Sequence, residues 1–327
     1  IGHDKAKGPT GASDGTMSGR SGGLCVACGS HAPSHYIKSE GLAGGLRATL
    51  MAVVAEGDRR RIYVAPTEEH LSASGVERPT WTPDQKLGFD PRNLWTPAYG
   101  LTRFSDLFTN RQLVALATFS DLVGEARTRV LRDALGAGLT SGARLADGGT
   151  GGEAYADAIT TYLGMAVSNT ADDHSSLVSW RSSHGTGATR STFARQALPM
   201  VWDYAEANPL SGTAGDFSNT IPGIVAVLER IDPTVAGEVT QADAAARDFS
   251  NAVVSTDPPY YDNIGYSDLS DFFYVWLRRS LRDVHPALFA SMLVPKAEEL
   301  VANPYRHGGR EGAERFFETG FEHVFAR

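Results

Sequence analysis

Residues 253–260 read Val-Val-Ser-Thr-Asp-Pro-Pro-Tyr. These types at this spacing suit the gripping of a planar group that carries an exocyclic amine. Asp257 supplies carboxylate acceptors and Tyr260 a flat ring. Pro258 and Pro259 cannot continue a sheet ladder, so they end any strand before them and fix the separation of the two side chains. The β-branched Val253 and Val254 suit a buried parallel strand that delivers this rigid loop. Two further groups could do chemistry. Cys25-Val-Ala-Cys28-Gly29 has the spacing of half a zinc knuckle, with Gly29 suited to the tight turn that follows the second thiol. A structural zinc takes four ligands, and this pair supplies two. Asp243 follows a strand candidate at 236–240, where it either borders a bound ligand or caps the next turn.

The Asp257–Tyr260 stretch resembles the Asp/Asn/Ser-Pro-Pro-Tyr catalytic loop of amino-methyltransferases. The likeness continues through Tyr261-Asp262-Asn263-Ile264-Gly265-Tyr266-Ser267-Asp268-Leu269-Ser270-Asp271-Phe272-Phe273-Tyr274-Val275-Trp276-Leu277-Arg278-Arg279-Ser280, and upstream at 107–113 and 192–209. Residues 22–327 can be laid along the pattern of the long adenine-specific DNA methylases that carry a zinc ribbon, and the chain is similar to that family. The resemblance implies methyl transfer from S-adenosylmethionine to adenine N6 in DNA, in restriction-modification or phage defence with partner proteins. It implies that Asp257 and the Pro258 carbonyl accept from the target amine and that Tyr260 stacks on the flipped base. Tyr261, Asp262 and Tyr266 are the candidates for the rest of the target pocket, Asp243 for the edge of the cofactor site, and Cys25 and Cys28 for zinc. An aromatic amine is a poor nucleophile, because its lone pair is delocalised into the ring. Acceptors on its hydrogens favour the pyramidal nitrogen and the positive charge that develops on attack. Flipping a base out of a duplex costs on the order of a few kcal/mol, and stacking on Tyr260 returns roughly 1–3 kcal/mol. The same loop would accept cytosine N4, an RNA base or a protein amide. A third alternative is a truncated, inactive piece that binds DNA or a partner.

The elements that must position these groups are legible in outline. Residues 1–24 are rich in Gly, Ser, Thr and Lys and read as a linker. Residues 25–95 read as a loop-rich, partly zinc-ribbon-like subdomain with one strand at 61–65. Residues 96–327 read as a helical insertion leading into the catalytic part. Apolar spacing predicts helices over 105–135, 153–167, 193–206, 220–231, 272–281 and 312–325, and strands at 236–240 and 251–256. The aromatic run at 272–277 reads as core. The fold class expected is α/β: a partial Rossmann-like, S-adenosylmethionine-dependent methyltransferase core with a helical insertion and a small N-terminal subdomain. Leu145-Ala-Asp-Gly-Gly-Thr-Gly-Gly152 imitates a cofactor glycine loop, but no hydrophobic strand precedes it, so it reads as a flexible connector between helices. The family's own glycine loop is expected outside this chain. Ile1 at the start and an uncapped helical run at 321–327 make the chain read as a central to C-terminal fragment, inactive when isolated.

Composition adds bounds. Hydrophobic residues make up 42% and the mean hydropathy is −0.22, as in globular proteins. No apolar run is long enough to span a bilayer. Two cysteines make no disulfide framework, and a cytoplasmic setting is expected. The formal net charge of −8 sits awkwardly with nucleic acid binding. Arg59-Arg60-Arg61, Arg278 with Arg279 and Arg282, and Arg306 with Arg310 and Arg315 are the local basic groups, each either a solvated face or a phosphate track.

Overall fold

The computed structural model describes residues 17, 22–25, 27–58, 60–181, 187–231, 234, 237, 239, 242–262 and 264–326. Among them the chain is a mixed helix and strand protein, with all its strands in small antiparallel pairs. β1 (Gly23–Leu24) pairs with β2 (His31–Ala32), and α1 (Ser34–Leu42) follows. β3 (Val53–Gly57) and β4 (Arg60–Val64) form a hairpin, in which β4 is the strand expected at 61–65. α2 (Glu68–Ser74) is short, and a long irregular stretch leads to the main helices.

Three helices build the centre. α3 (Asn110–Gly136) begins at a capping box, in which Gln112 N–H donates to Thr109 Oγ1 and Thr109 N–H donates to Gln112 Oε1 at 2.9 Å. α4 (Gly152–Asp173) packs on α3, and α6 (Tyr266–Leu281) packs on both. Leu113 and Leu116 of α3, Ala171 of α4, and Phe272 and Trp276 of α6 are fully buried in one cluster with Phe104, Leu107 and Leu198. Phe108 stacks on Phe272 at 5.3 Å and meets Trp276 edge-on at 5.3 Å. Trp81 packs against Trp276 at 5.7 Å, so the irregular stretch after α2 joins this core. β5 (Ser179–Arg181), β6 (Ala188–Arg190), α5 (Thr220–Leu228) and α7 (Arg310–Phe325) complete the described α-helices and strands.

Two sequence expectations are corrected. Residues 193–206 are irregular rather than helical. Leu198 N–H donates to Asn93 O at 2.7 Å and Trp95 N–H to Leu198 O at 3.1 Å, so this backbone pairs with 93–95. Pro199 supports that outcome, because it removes a helix donor and restricts the residue before it. Residues 252–260 are irregular and have no ladder partner, so the expected parallel strand at 251–256 is not formed among the described residues. Val253 is 101% exposed and Val254 is 55% exposed. β-branched residues favour a strand, but a sheet also needs a neighbour. The other strand candidate, 236–240, lies mostly outside the described residues. With the strands paired only antiparallel and a single parallel bridge at Leu94 and Leu198, the coarse mixed class stands and the parallel doubly wound sheet does not appear among the described residues.

Candidate functional site

Asp257 lies on the exposed irregular run that precedes α6. Its Oδ1 accepts from the Tyr260 hydroxyl at 3.0 Å. The two prolines hold the residues between them, and Tyr261 N–H returns to Pro259 O at 3.2 Å to close the turn. Tyr260 is 66% exposed, so its ring is open to a ligand. The hydrogen bond to Asp257, and the negative charge it carries, push the Tyr260 phenol above its ordinary pKa. It stays protonated and remains a donor at neutral pH. Asp257 Oδ2 and the Pro258 carbonyl accept no hydrogen bond from the described residues. Two acceptors and one open ring therefore share one rigid loop.

The loop is tied down immediately after its ring. Tyr261 has φ +55°, the one non-glycine residue in the left-handed region among those described. Such a conformation costs on the order of 1–3 kcal/mol and persists where the surroundings enforce it. The Tyr261 carbonyl accepts from Ala302 N–H at 3.0 Å, its hydroxyl donates to Glu314 Oε1 at 2.9 Å, and its ring meets Phe317 of α7 at 5.2 Å. Tyr261 thus turns toward α7, and its geometry is that of an anchor. Asp262 contributes its backbone, with Arg92 Nη1 donating to the Asp262 carbonyl at 2.8 Å. Arg92 is itself clamped on both oxygens of buried Asp90, at 3.0 Å and 2.8 Å, and Asn303 donates to the same carboxylate at 3.0 Å. Tyr266 opens α6, is half exposed, and lines a cleft at the start of that helix.

A second ionic group braces the start of α6. Arg306 donates to Asp268 Oδ2 at 2.5 Å, Glu299 Oε2 at 2.6 Å and Ser267 Oγ at 3.0 Å. Lys296 pairs with buried Asp271 at 2.6 Å. Burial drives the Asp271 carboxyl above its usual range, although Lys296 and the Val294 N–H oppose this. These residues join segments 88–92, 262–271 and 294–306, and so fix the loop relative to the core.

No family model, curated protein or solved structure matches the chain. The site must therefore be read from its own geometry.

The groups considered for cofactor and metal fare differently. Gly148–Gly152 connects α3 to α4 as expected, and two of its glycines lie against backbone. A Cβ on Gly149 would strike the Ala143 carbonyl, and one on Gly151 would fall 2.5 Å from the Thr140 carbonyl. Gly149 and Gly151 thus serve close backbone approach. Asp157, fully buried, secures the same connector through Arg127 (2.7 Å), Arg144 (2.7 Å) and Leu145 N–H (3.1 Å). Asp243 accepts from Ala245 N–H at 2.9 Å, which is the local capping geometry. Cys25 and Cys28 are both exposed at the β1–β2 turn, where Gly29 has φ +71° and Gly29 N–H donates to Cys25 O at 2.8 Å. Cys28 Sγ lies 3.2 Å from Ser30 Oγ, and this contact lowers the thiol's pKa. No group of three or more potential ligands occurs among the described residues, so the turn presents half of a zinc set.

Several basic groups flagged by sequence are committed internally. Arg279 pairs with Asp121 at 2.6 Å and lies 4.1 Å over the Trp81 ring. Arg306 belongs to the ionic group above. Sequence reasoning missed Arg92, whose only local signal is the Asp-Pro-Arg run at 90–92. It also missed Phe193 and Gln196, which line the cleft with Tyr266 and were assigned to a helix that does not form. No helix among the described residues is long and apolar enough to cross a membrane.

Proposed function

We propose that the Asp257–Tyr260 loop grips the exocyclic amine of adenine in DNA, within an amino-methyltransferase for which S-adenosylmethionine is the methyl donor that the family resemblance implies. The observation that carries this reading is the exposed Asp257–Tyr260 pair at 3.0 Å, followed by a strained and tethered Tyr261. Asp257 Oδ2 and the Pro258 carbonyl accept from the two amine hydrogens. The nitrogen lone pair is then drawn out of conjugation and toward pyramidal geometry, and the positive charge developing there meets a carboxylate. Tyr260 holds the base plane, and its hydroxyl occupies Asp257 Oδ1, leaving Oδ2 for the amine. The ionic braces around Arg92 and Arg306 keep these acceptors in place before a substrate arrives, which avoids reorganisation during attack.

The test is methyl transfer to DNA by the intact protein. Asp257→Ala is expected to lower the rate at least about a hundredfold, as for loss of one preorganised charge-stabilising group. Wild-type transfer by that variant overturns the reading. Digestion of the product to nucleosides is expected to give N6-methyladenine; N4-methylcytosine would move the target to cytosine.

A further inference from the structure

We propose that Glu314 of α7 is a positioning residue for the Asp257–Tyr260 loop, and that it acts by holding Tyr261, the hinge on which that loop turns. The inference rests on the loop reading above and adds what aims the acceptors. Among the described residues, no hydrogen bond joins 253–260 to a distant segment of the chain. Tyr260 bonds to Asp257 within the loop, and Pro259 O accepts from Tyr261 N–H at 3.2 Å. The prolines stiffen the loop but do not aim it. Its bearing is therefore set where it meets the body of the protein, at Tyr261. The carbonyl and side chain of Tyr261 both lie beyond its N–Cα bond, and both are tied down. Rotation about that bond carries everything before it, Tyr260 and Asp257 included, and leaves the tied groups in place. The bond sits at φ +55°. An L side chain is crowded there and relaxes to negative φ when released. The acceptors would swing with it.

Three contacts keep Tyr261 from relaxing. Ala302 N–H donates to its carbonyl at 3.0 Å, its ring meets Phe317 edge-on at 5.2 Å, and its hydroxyl donates to Glu314 Oε1 at 2.9 Å. Glu314 is fixed from a second direction. Arg310, one turn earlier on α7, donates its Nε to the same Oε1 at 2.9 Å. The helix is itself seated on the segment that carries Ala302. Ala313 is buried, as are Val301 and Ala302, and a Cβ on Gly320 would strike the Leu300 side chain. Glu314 and the Ala302 amide thus belong to one rigid frame, and Tyr261 spans it. A carboxylate takes a phenol hydrogen in a charge-assisted bond, roughly twice as strong as a neutral one. Without it the side chain keeps only a ring-edge contact, and a strained backbone persists only where its surroundings over-determine it.

The experiment uses the intact protein, with methyl transfer read at limiting and saturating DNA. Glu314→Ala and Tyr261→Phe are each expected to lower kcat at least about tenfold, since misplacement by about 1 Å can cost about a hundredfold. KM for DNA should stay within about twofold of wild type, because neither side chain touches substrate. The double variant should lose little more than the worse single one, because both remove the same bond. Glu314→Gln keeps an acceptor and should regain at least about threefold of the rate lost in Glu314→Ala. A second readout is independent of the chemistry. Exchange of the Ala302 amide hydrogen, followed by mass spectrometry, should quicken at least about tenfold in Glu314→Ala, while the amides of α3 keep their wild-type rates. A raised KM with kcat intact overturns the proposal, because Glu314 would then meet DNA. So do losses that multiply in the double variant, unchanged Ala302 exchange in Glu314→Ala, and exchange that quickens across α3 as well, which would make Glu314 a residue of global stability. The two readings fail separately. Full transfer by Asp257→Ala, with Ala302 exchange still quickened in Glu314→Ala, removes the acceptor chemistry and leaves the hinge. Lost transfer in Asp257→Ala, with wild-type transfer and exchange in Glu314→Ala, does the reverse.

Discussion

The Tyr260 hydroxyl donates to Asp257 at 3.0 Å while its ring stands open to solvent, so one side chain carries two separable contributions. Tyr260→Phe keeps the ring and frees both Asp257 oxygens. Tyr260→Ala removes the ring as well. If stacking is the main contribution, the Phe variant should transfer methyl groups within about tenfold of wild type. The Ala variant should lose about ten- to a hundredfold, since one stacked base is worth roughly 1–3 kcal/mol. Rates at limiting and saturating DNA check this. Equal damage in the two variants would hand the role to the hydroxyl. Tyr261 is next in sequence and chemically identical, yet it does different work, because its positive φ and its bonds to Ala302 and Glu314 turn it into α7. The sequence shows two tyrosines in a row. Only the backbone shows which one faces out.

Gly164 on α4 faces Leu281 on α6, and a Cβ there would fall 2.6 Å from the Leu281 Cγ, which is buried. Gly164→Ala therefore sets two effects against each other. Alanine gains about 1 kcal/mol of helix propensity, while overpacking a filled contact costs about 1–3 kcal/mol. The clash is with the branch point of an enclosed side chain, so overpacking wins and the variant should unfold at lower denaturant. Adding Leu281→Ala should recover part of that loss, giving a non-additive cycle in urea titrations. Contacts of this kind mark the limit of legibility. Helices α3, α4, α6 and α7 could be read from apolar spacing, and the start of α3 from Thr109 and Gln112, because these signals are local. The strand at 251–256 and the helix at 193–206 could not. Whether Val253 sits in a sheet depends on a neighbour far along the chain, and Leu198 was drawn away from a helix by Asn93, more than a hundred positions earlier. The acceptor loop was legible because prolines impose their geometry from within. The cleft was not, since Phe193 and Gln196 reach Tyr266 only through the fold.

Across the whole molecule the formal charge is −8, and much of the basic inventory is paired inside, as with Arg127, Arg279 and Arg306. Acid sensitivity then depends on which buried groups must take protons. Burial depresses the pKa of His285 below 6.5, with the Arg144 cation adding to this and Asp157 opposing it. Burial, and the Arg306 cation, depress His307 as well. Unfolded histidines take up protons below pH 6.5 before the folded ones do. Their contribution to stability is therefore full above pH 6.5 and is lost as pH falls through that value toward the folded pKa. Asp172 and Asp173 run the other way, because burial raises both from 3.8. Their contribution is full below that value and is lost as pH rises through the folded pKa. The two effects overlap on the acid side, so the wild-type profile alone does not separate them, and a substitution does. His285 Nε2 lies 2.8 Å from Thr161 Oγ1, joining the turn after α6 to α4. Glutamine retains a polar partner for Thr161 and takes up no proton. Urea midpoints at pH 7.5, 6.5 and 5.5 should therefore fall less steeply for His285→Gln than for wild type as the pH drops. An equal slope in the two proteins would mean that His285 takes up its proton alike in the folded and unfolded chain and that this side of the α4–α6 contact does not sense acid.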